Sequence, residues 1–324
     1  MAGEIPNPSV IQETEISAGS SFMEKLTARQ KQGFSVCVGL DSSFNKLPDM
    51  GRGSGTRIKG STVFSFNAKI IDATAPITTA FKPNSAFYEE LGAEGMTSLQ
   101  NTIGYIRREH PEIPVILDAK RGDIGSTNDG YVKAAFDVLG ADAITANPYL
   151  GQEAMRPFLD RGDKGILLLV KTSNPGAGEL QDLPVSLRDL SDSHKNRFGD
   201  LSELRDITES DVVPFYQVVA FNLSRRWNEN GNVGLVVGAT YPQELAMIRK
   251  IVGDMPILIP GIGAQGGDLE ATVAAGQDSR GAGMIINSSR GIIYASKGAD
   301  FAQRAGEEAN KLHEAINANR TLKF

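Results

Sequence analysis

The chain has 324 residues, with 33 Lys and Arg against 39 Asp and Glu, and 40% of it is hydrophobic. This composition excludes a disordered chain and a coiled coil, and a net charge of −6 argues against nonspecific nucleic-acid binding. One cysteine excludes an internal disulfide, and three scattered histidines argue against a Cys/His metal site. The length fits two ordinary domains or one large α/β barrel.

The start of the chain predicts a flexible lead-in over residues 1–20, because it is acidic and lacks a cationic region followed by an apolar core. The longest strongly apolar stretch, residues 166–170, is far shorter than the roughly 20 residues of a membrane span. We therefore expect a cytoplasmic protein whose single domain covers residues 21–324.

Short apolar runs along the chain predict eight strands. They are residues 34–41, 79–87, 114–121, 143–149, 165–173, 233–240, 256–263 and 283–290. Helices are predicted between and around them, over residues 20–33, 96–110, 130–140, 215–227, 241–253 and 301–319. Ser21 and Glu24 form a capping box at the start of the first helix. Eight strand–helix units predict a (β/α)8 TIM barrel, and a doubly wound open sheet is the alternative.

Two connections between the predicted elements are unusually long. Residues 42–61 are rich in Gly, Ser and basic residues, and residues 175–210 are heavily charged. Loops of this size in a compact domain are generally functional or disordered, and a solvated insertion explains most of each equally well. Because the second connection follows a strand end directly, its first residues are a candidate lid.

Polar residues follow most of the predicted strands, at the end where a barrel carries its active site. They are Asp41, Lys82, Asn84, Asp118, Lys120, Asn147, Lys171 to Asn174, Gly261 to Gly267, Ser289 and Arg290. The side-chain period of a strand turns Asp118 and Lys120 to the same side and Arg121 away. With Lys82 and Asp123, this mouth would hold two ammonium groups and two carboxylates. A structural ion-pair cluster is the alternative, but four such charges favour a functional site.

The stretch Gly261–Gly266 matches the pattern GxGxxG after a strand. The dinucleotide-binding fingerprint should open the first βαβ unit, whereas this stretch lies near the end of the chain. Its position instead favours a barrel phosphate site in which Gln265, backbone N–H groups and Arg290 hold the anion. A structural glycine turn stays open. The short side chains of Thr172 to Asn174 suit the edge of a heterocycle, although alone they are typical of an ordinary turn.

Five motifs together resemble the orotidine 5′-phosphate decarboxylase family. They are GLD (39–41), FKPNSAFYE (81–89), DAKRGDIGST (118–127), LVKTSNPG (169–176) and PGIGAQGGD (260–268). The resemblance is strongest to the longer form often called type 2, and it spans about Phe34 to Tyr294. It implies a homodimeric lyase without metal or cofactor that converts orotidine 5′-monophosphate to uridine 5′-monophosphate, the last step of de novo pyrimidine nucleotide synthesis.

The resemblance also implies a role for individual residues. The charged tetrad of the family falls on Lys82, Asp118, Lys120 and Asp123. Within it, Lys120 would be the proton donor to C6 of the pyrimidine. Asp123, Ile124 and Thr127 would enter the partner subunit's site across the dimer interface. The remaining positions contact substrate: Asp41 and Asn84 on the ribose side, Ser173 at the pyrimidine, and Gln265 and Arg290 at the phosphate.

Three other functions stay open at the level of the sequence. A metal-dependent decarboxylase or aldolase of sugar phosphates shares the Asp-x-Lys-x-x-Asp core, but with a metal-binding acid. A nonenzymatic nucleotide-binding barrel would bind uridylate without releasing CO2. A nicotinamide oxidoreductase would rest on the GxGxxG pattern alone.

Overall fold

The computed structural model describes residue 17 and residues 19–48, 56–188, 199–262 and 267–321. The strands within these residues are β1 (Val36–Gly39), β2 (Thr78–Lys82), β3 (Ile116–Arg121), β4 (Ala143–Ala146), β5 (Gly165–Lys171), β6 (Pro184–Ser186), β7 (Val212–Pro214), β8 (Val233–Val237), β9 (Ile257–Pro260) and β10 (Met284–Ser288). All strands except β6 and β7 form one parallel eight-stranded sheet in the order β2-β1-β10-β9-β8-β5-β4-β3. Seven of the eight lie within one of the predicted apolar runs, and β2 begins one residue before its run.

The sheet closes into a barrel between its two end strands, β2 and β3. The Phe81 N–H donates to the Pro114 carbonyl at 3.1 Å, and the Asp118 N–H donates to the Pro83 carbonyl at 2.9 Å. Parallel bridges between Phe81 and Val115 and between Asn84 and Asp118 accompany these bonds. The predicted TIM barrel is confirmed, because a doubly wound sheet would leave the two end strands apart.

Helices surround the barrel. They are α1 (Phe22–Lys31), α2 (Thr56–Thr74), α3 (Ala86–Glu89), α4 (Gly92–Glu109), α5 (Gly125–Val132), α6 (Gln152–Leu159), α7 (Gly178–Gln181), α8 (Ser202–Thr208), α9 (Phe215–Asn222), α10 (Pro242–Val252), α11 (Leu269–Gly276), α12 (Arg290–Ile293) and α13 (Phe301–Ala318). Short π-helical segments continue α5 and α9. The six predicted helices are present, and the Ser21–Glu24 capping box is confirmed. Within the described residues, every helix is too short or too polar to cross a bilayer.

Helix α2 corrects the prediction of a loop over residues 42–61, because it begins at Thr56. Glycine, serine and β-branched residues weaken its intrinsic helix propensity and hid it. Val63, Phe66 and Ile70 are nevertheless fully buried at helical spacing, so packing against the barrel forms this helix. Residues 49–55 of the predicted loop lie outside the described part of the chain.

The second long connection, residues 175–210, contains more structure than a solvated insertion. It includes α7, β6 and α8, and β6 pairs antiparallel with β7. Leu187, Leu201 and Leu204 from this region are buried in the same hydrophobic core as the barrel. Residues 189–198 lie outside the description, as do all but three of the predicted lead-in residues 1–20.

Helix α1 covers the N-terminal end of the barrel. Phe22 and Leu26 pack into the barrel interior with Cys37 and other inward residues of the strands. The buried Lys25 ammonium pairs with Asp142 at 2.9 Å, so this buried charge has a counterion at the N-terminal end of the barrel. Since this end is sealed, the C-terminal ends of the strands are left for a ligand.

Candidate active site

A cavity of about 440 Å³ opens at the C-terminal ends of the barrel strands. Its size lies within the range of small-molecule sites. The described residues that line it are Asp41, Lys82, Asp118, Lys120, Leu169, Thr172, Ser173, Asn174, Gln181, Val236, Pro260, Gly261, Ile262, Asn287, Ser288, Ser289, Arg290 and Gly291. Residues from seven of the eight barrel strands, or from the segments that follow them, therefore meet at one site.

Four charged side chains form a row of alternating sign along the cavity. The Lys82 ammonium lies 3.9 Å from Asp41 Oδ1 and 2.8 Å from Asp118 Oδ2. The Lys120 ammonium lies 2.6 Å from Asp118 Oδ1. The prediction that Asp118 and Lys120 face the cavity together, with Lys82 beside them, agrees with this geometry. Within the chain, Asp41 rather than Asp123 is the fourth charge of the row.

Burial and pairing fix the charge states within this row. The Lys82 and Asp118 side chains are 4% and 10% exposed, whereas Lys120 is 49% exposed. Burial alone would raise the pKa of Asp118, but the ammonium groups of Lys82 and Lys120 hold that pKa well below its usual range. Burial would likewise lower the pKa of Lys82, but the carboxylates of Asp118 and Asp41 raise it. Both side chains are therefore charged at neutral pH.

Thr145 explains how Asp118 and Lys120 reach the same side. Its hydroxyl donates to Asp118 Oδ1 at 2.9 Å and accepts the N–H groups of Ala119 and Lys120 at 3.1 and 3.0 Å. To direct both N–H groups to one oxygen, the chain turns left-handed at Lys120, where φ is +47°. Such a backbone is strained for a residue with a side chain, and strain of this kind is typical of functional sites.

The backbone of the Asp41 segment is held by two tyrosines, the half-buried Tyr294 and the buried Tyr88. The Tyr294 hydroxyl donates to the Asp41 carbonyl at 3.2 Å and accepts the Ser43 N–H at 2.8 Å. The Tyr88 hydroxyl donates to the Leu40 carbonyl at 3.0 Å. Asp41 Oδ1 is buried without a hydrogen-bond donor among the described residues, so the nearby Lys82 ammonium is its main electrostatic support. These contacts keep the Asp41 carboxylate beside Lys82, at one end of the row.

The segments after β9 and β10 form the opposite end of the cavity. Gly261 and Ile262 line it from the seventh barrel strand, and Arg290, the first residue of α12, lines it after the eighth. Gly39 allows β1 to approach this end, because a Cβ there would lie 1.8 Å from Ser289 Oγ. The GxGxxG stretch therefore begins at the position of a barrel phosphate site. Gln265 lies outside the described residues.

The segment after β5 contributes Thr172, Ser173 and Asn174 to the cavity, together with Gln181 from α7. Lys171 does not line the cavity, contrary to its place among the predicted mouth residues. Its pairing with β8 is irregular between Leu169 and Lys171, so strict alternation fails there. The Lys171 side chain instead lies against the rings of Tyr216 and Tyr241.

Several other predicted site residues lie beside the cavity of their own chain. The Asn84 amide lies 3.5 Å from Asp118 Oδ2, next to the charged row. Asp123 accepts the Ile124 N–H at 2.7 Å at the start of α5, and Ile124 and Thr127 are exposed. Asn147, expected at the mouth, instead accepts the Tyr149 N–H in the turn after β4. None of these five is among the described lining residues.

Several residues of the site, among them three considered next, were missed at the level of the sequence. Thr145, Gln181 and Asn287 contact the row or line the cavity. Alternation on β4 gives a signal for Thr145, because it shares a face with the inward Ala143. Asn287 shares a face with the inward Ile285 in the same way. Gln181 has no such signal, because it belongs to a short helix in an insertion.

Comparison with known proteins places the chain in a family. Residues 35–305 match the family described as orotidine 5′-phosphate decarboxylase / HUMPS. The chain belongs to this family. It is 46% identical over 301 residues to an orotidine 5′-phosphate decarboxylase of Cellvibrio japonicus, covering 93% of this chain and 99% of that one.

Solved structures of family members share the fold. The OMP decarboxylase of Leishmania donovani is 37% identical and has a TM-score of 0.72, covering 94% of this chain and all of that one. The UMP synthase of the same organism is 39% identical, with a TM-score of 0.74, and this chain covers 57% of its length. The closed barrel and the family match both disfavour the nicotinamide-dependent alternative, which requires an open dinucleotide-binding sheet.

Proposed function

We propose that this protein is an orotidine 5′-phosphate decarboxylase, a carboxy-lyase that converts orotidine 5′-monophosphate to uridine 5′-monophosphate in pyrimidine biosynthesis. The observation that carries the proposal is the row Asp41–Lys82–Asp118–Lys120 in one cavity with Arg290. The names and the high identity of the curated relatives support the same reaction.

Lys120 is proposed as the group that stabilises and protonates the reacting carbon. When CO2 leaves C6 of the pyrimidine, an electron pair stays on that carbon, and a preorganised ammonium group stabilises the charge. Lys120 suits this task because its ammonium is half exposed to the cavity and is held by Asp118 at 2.6 Å. The proton then passes from Nζ to C6, which completes the conversion to uridylate.

Asp118 is proposed to lie beside the carboxylate that is lost. Two like charges about 4 Å apart repel by roughly 4 kcal/mol at an effective dielectric constant of about 20. Relief of that repulsion would accelerate the reaction by about three decades, whereas enzymes commonly supply about 8–23 kcal/mol. The remainder must come from the ammonium groups and from binding energy at the distant phosphate.

A turnover assay tests this function. Purified protein is expected to consume orotidylate at the same rate with and without EDTA, followed by the change in ultraviolet absorbance as uridylate forms. The reason is that the charge stabilisation in the proposal comes from side chains alone. Activity that disappears with the chelator would favour a metal-dependent enzyme of sugar phosphates. Uridylate binding without CO2 release would indicate a nonenzymatic nucleotide-binding barrel.

Arg290, with Gln265, is proposed to bind the 5′-phosphate, and Arg290→Ala tests this assignment. Because a guanidinium–phosphate pair contributes about 1.5–3 kcal/mol, KM for orotidylate is expected to rise by about tenfold to a hundredfold. The nucleoside orotidine, which lacks the phosphate, should be handled equally poorly by the wild type and the variant. An unchanged KM for orotidylate would place the phosphate elsewhere in the cavity.

The proposed contacts of the remaining substrate groups follow the cavity from one end to the other. On the ribose side lie Asp41, at one end of the charged row, and Asn84, beside Asp118; Ser173 lies in the lining segment after β5. We expect the pyrimidine ring to lie against Lys120 and Asp118, between the ribose contacts and Ser173. The phosphate then reaches Arg290.

We propose that the active form is a homodimer in which Asp123, Ile124 and Thr127 complete the partner's site. These three residues lie outside the cavity lining of their own chain. The Ile124 side chain is 59% exposed, and the nearby Tyr149 and Leu150 are 74% and 47% exposed. Exposed apolar side chains next to an active-site rim suit a contact with a second copy.

Mixing two inactive variants tests the shared site. Lys120→Ala and Asp123→Ala should each be inactive alone, but refolding them together is expected to restore activity. Random pairing in a two-fold dimer leaves about one quarter of all sites intact, each with Lys120 from one subunit and Asp123 from the other. Different affinity tags on the two variants, captured in succession, would verify that hybrid dimers form. If hybrid dimers form without activity, Asp123 acts within its own chain.

We also propose that residues 21–324 act as one domain in the cytoplasm. The second long connection supports a single domain, because its buried leucines join the barrel core. Cys37 is free and fully buried inside the barrel, where burial raises the pKa of its thiol to about 12. Such a thiol is unreactive at neutral pH, and a chain with this single cysteine, which forms no internal disulfide, suits a reducing compartment.

A further inference from the structure

Gln181, in the insertion after β5, holds the segment that contains Ser173. The Thr172 N–H donates to Gln181 Oε1 at 2.9 Å, and Gln181 Nε2 donates to Thr172 Oγ1 at 2.9 Å. The Thr172 hydroxyl in turn donates to Asn174 Oδ1 at 2.6 Å. One carboxamide therefore fixes the backbone and the side chain of the residue before Ser173, and through Thr172 it fixes the residue after it.

The residue that follows Gln181 anchors α7 to the barrel. Asp182 pairs with the Lys171 ammonium at 2.5 Å, and the Lys171 side chain is only 2% exposed. The same ammonium lies 5.5 Å and 4.9 Å from the ring centres of Tyr216 and Tyr241. Because separation of Asp182 would leave a buried ammonium without its carboxylate, this pair keeps α7 over the strand end.

The end of β8 confines the same segment from the other side. The Gly238 N–H donates to the Lys171 carbonyl at 2.8 Å. A Cβ at Gly238 would lie 2.8 Å from the Cβ of Ser173, so the two segments are in close contact. Ser173 thus lies between β8 and the α7 contacts, and both it and Gln181 face the cavity.

We propose that Gln181 is a positioning residue that sets the selectivity of the site for the pyrimidine ring. It acts through Thr172, since its oxygen and its nitrogen both contact that residue. Hydrogen-bonding groups that read the edge of a heterocycle are effective only when they are held in place before the ligand binds. This inference rests on the proposed function, because it takes the ligand to be a pyrimidine nucleotide.

Gln181→Met tests the inference, because methionine is similar in size but makes neither hydrogen bond. The probes are uridine 5′-phosphate and ribose 5-phosphate, which share the sugar phosphate and differ in the base; binding is measured by calorimetry. Loss of the two bonds is expected to weaken uridine 5′-phosphate binding about tenfold. Binding of ribose 5-phosphate should stay within about twofold, since no base is read. Leu180→Ala, in the same turn of α7, is the matched control and should change neither affinity.

Two further variants separate positioning from general damage. Thr172→Val removes the hydroxyl through which Gln181 acts, so the double variant should lose less affinity for uridine 5′-phosphate than the product of the two single losses. Gln181→Glu keeps an acceptor for the Thr172 N–H and should fall between wild type and Gln181→Met. Losses that multiply, or an equal weakening of both probes, would overturn the inference.

The failure of this inference differs from failure of the proposed function. If wild-type protein neither turns over orotidylate nor prefers uridine 5′-phosphate to ribose 5-phosphate, the proposed function is wrong and the inference falls with it. If wild type prefers the nucleotide and Gln181→Met keeps the full preference, only the role of Gln181 is wrong.

Discussion

Lys120→Ala is expected to lower kcat for orotidylate by at least about a thousandfold, because it removes the proposed proton donor and an ammonium that faces the carbanion. The fold should persist, since the side chain is half exposed and Asp118 keeps its contacts with Lys82 and Thr145. The free energy of unfolding should change by no more than about 1 kcal/mol. Initial rates and urea denaturation measure the two effects. Near-normal turnover would mean that the proton comes from another group.

Arg121→Ala is the matched control for Lys120→Ala. Arg121 also carries a positive charge, but it pairs with Glu89 at 2.7 Å and lies against the ring of Tyr131. Its removal should leave kcat within a small factor of wild type. Lys120→Gly is a second control: it should be inactive but about 1 kcal/mol more stable than Lys120→Ala, because glycine relieves the left-handed backbone.

Asp118→Ala is expected to abolish turnover and to destabilise the fold by about 3 kcal/mol. The Lys82 side chain, 4% exposed in the wild type, would keep only Asp41 at 3.9 Å as its counterion. Chemical denaturation measures the loss. The double variant Asp118→Ala/Lys82→Met should recover part of the stability, since it removes the buried ammonium that Asp118→Ala leaves without its nearest carboxylate, while turnover stays absent. A single variant as stable as wild type would contradict this account of the row.

The stability difference between wild type and Asp118→Ala should depend on pH in a defined way. Because the Asp118 pKa is lowered in the folded protein, Asp118 contributes fully to folding stability above pH 3.8, its ordinary pKa. This contribution is lost as pH falls through the folded-state pKa. Because the Lys82 pKa is raised in the folded protein, Lys82 contributes fully to folding stability below pH 10.5, its ordinary pKa. This contribution is lost as pH rises through the folded-state pKa. The difference should therefore be constant from about pH 5 to about pH 9 and shrink in strong acid. A steep change near pH 7 would indicate another titrating group.

The sequence was sufficient to predict the barrel because buried parallel strands are continuous apolar runs, such as Gly165–Lys171. It also predicted the meeting of Lys82, Asp118 and Lys120, since all three end or follow such strands. The helix Thr56–Thr74 was not predicted, because tertiary packing overrides the weak propensity of its residues.

Departures from strand alternation and contacts between distant segments limited the prediction of the site. Lys171 points away from the cavity because the pairing of its strand is irregular, a feature that periodicity cannot reveal. Thr145 supports the left-handed turn at Lys120 through contacts that exist only once β3 and β4 are paired. Gln181 reaches the cavity from an insertion that a partly buried ion pair, Lys171–Asp182, anchors to the barrel.

The joint between β2 and β3 has a consequence for how the protein loses activity. This joint consists of isolated bridges rather than a continuous ladder, and Lys82 and Asp118 face each other across it. A barrel that opens here keeps nearly all its helices and strands but loses the pairing of its reacting groups. Activity should therefore be lost at a lower denaturant concentration than the circular dichroism signal of the helices and strands. Catalysis would then report opening of the barrel more sensitively than secondary structure does.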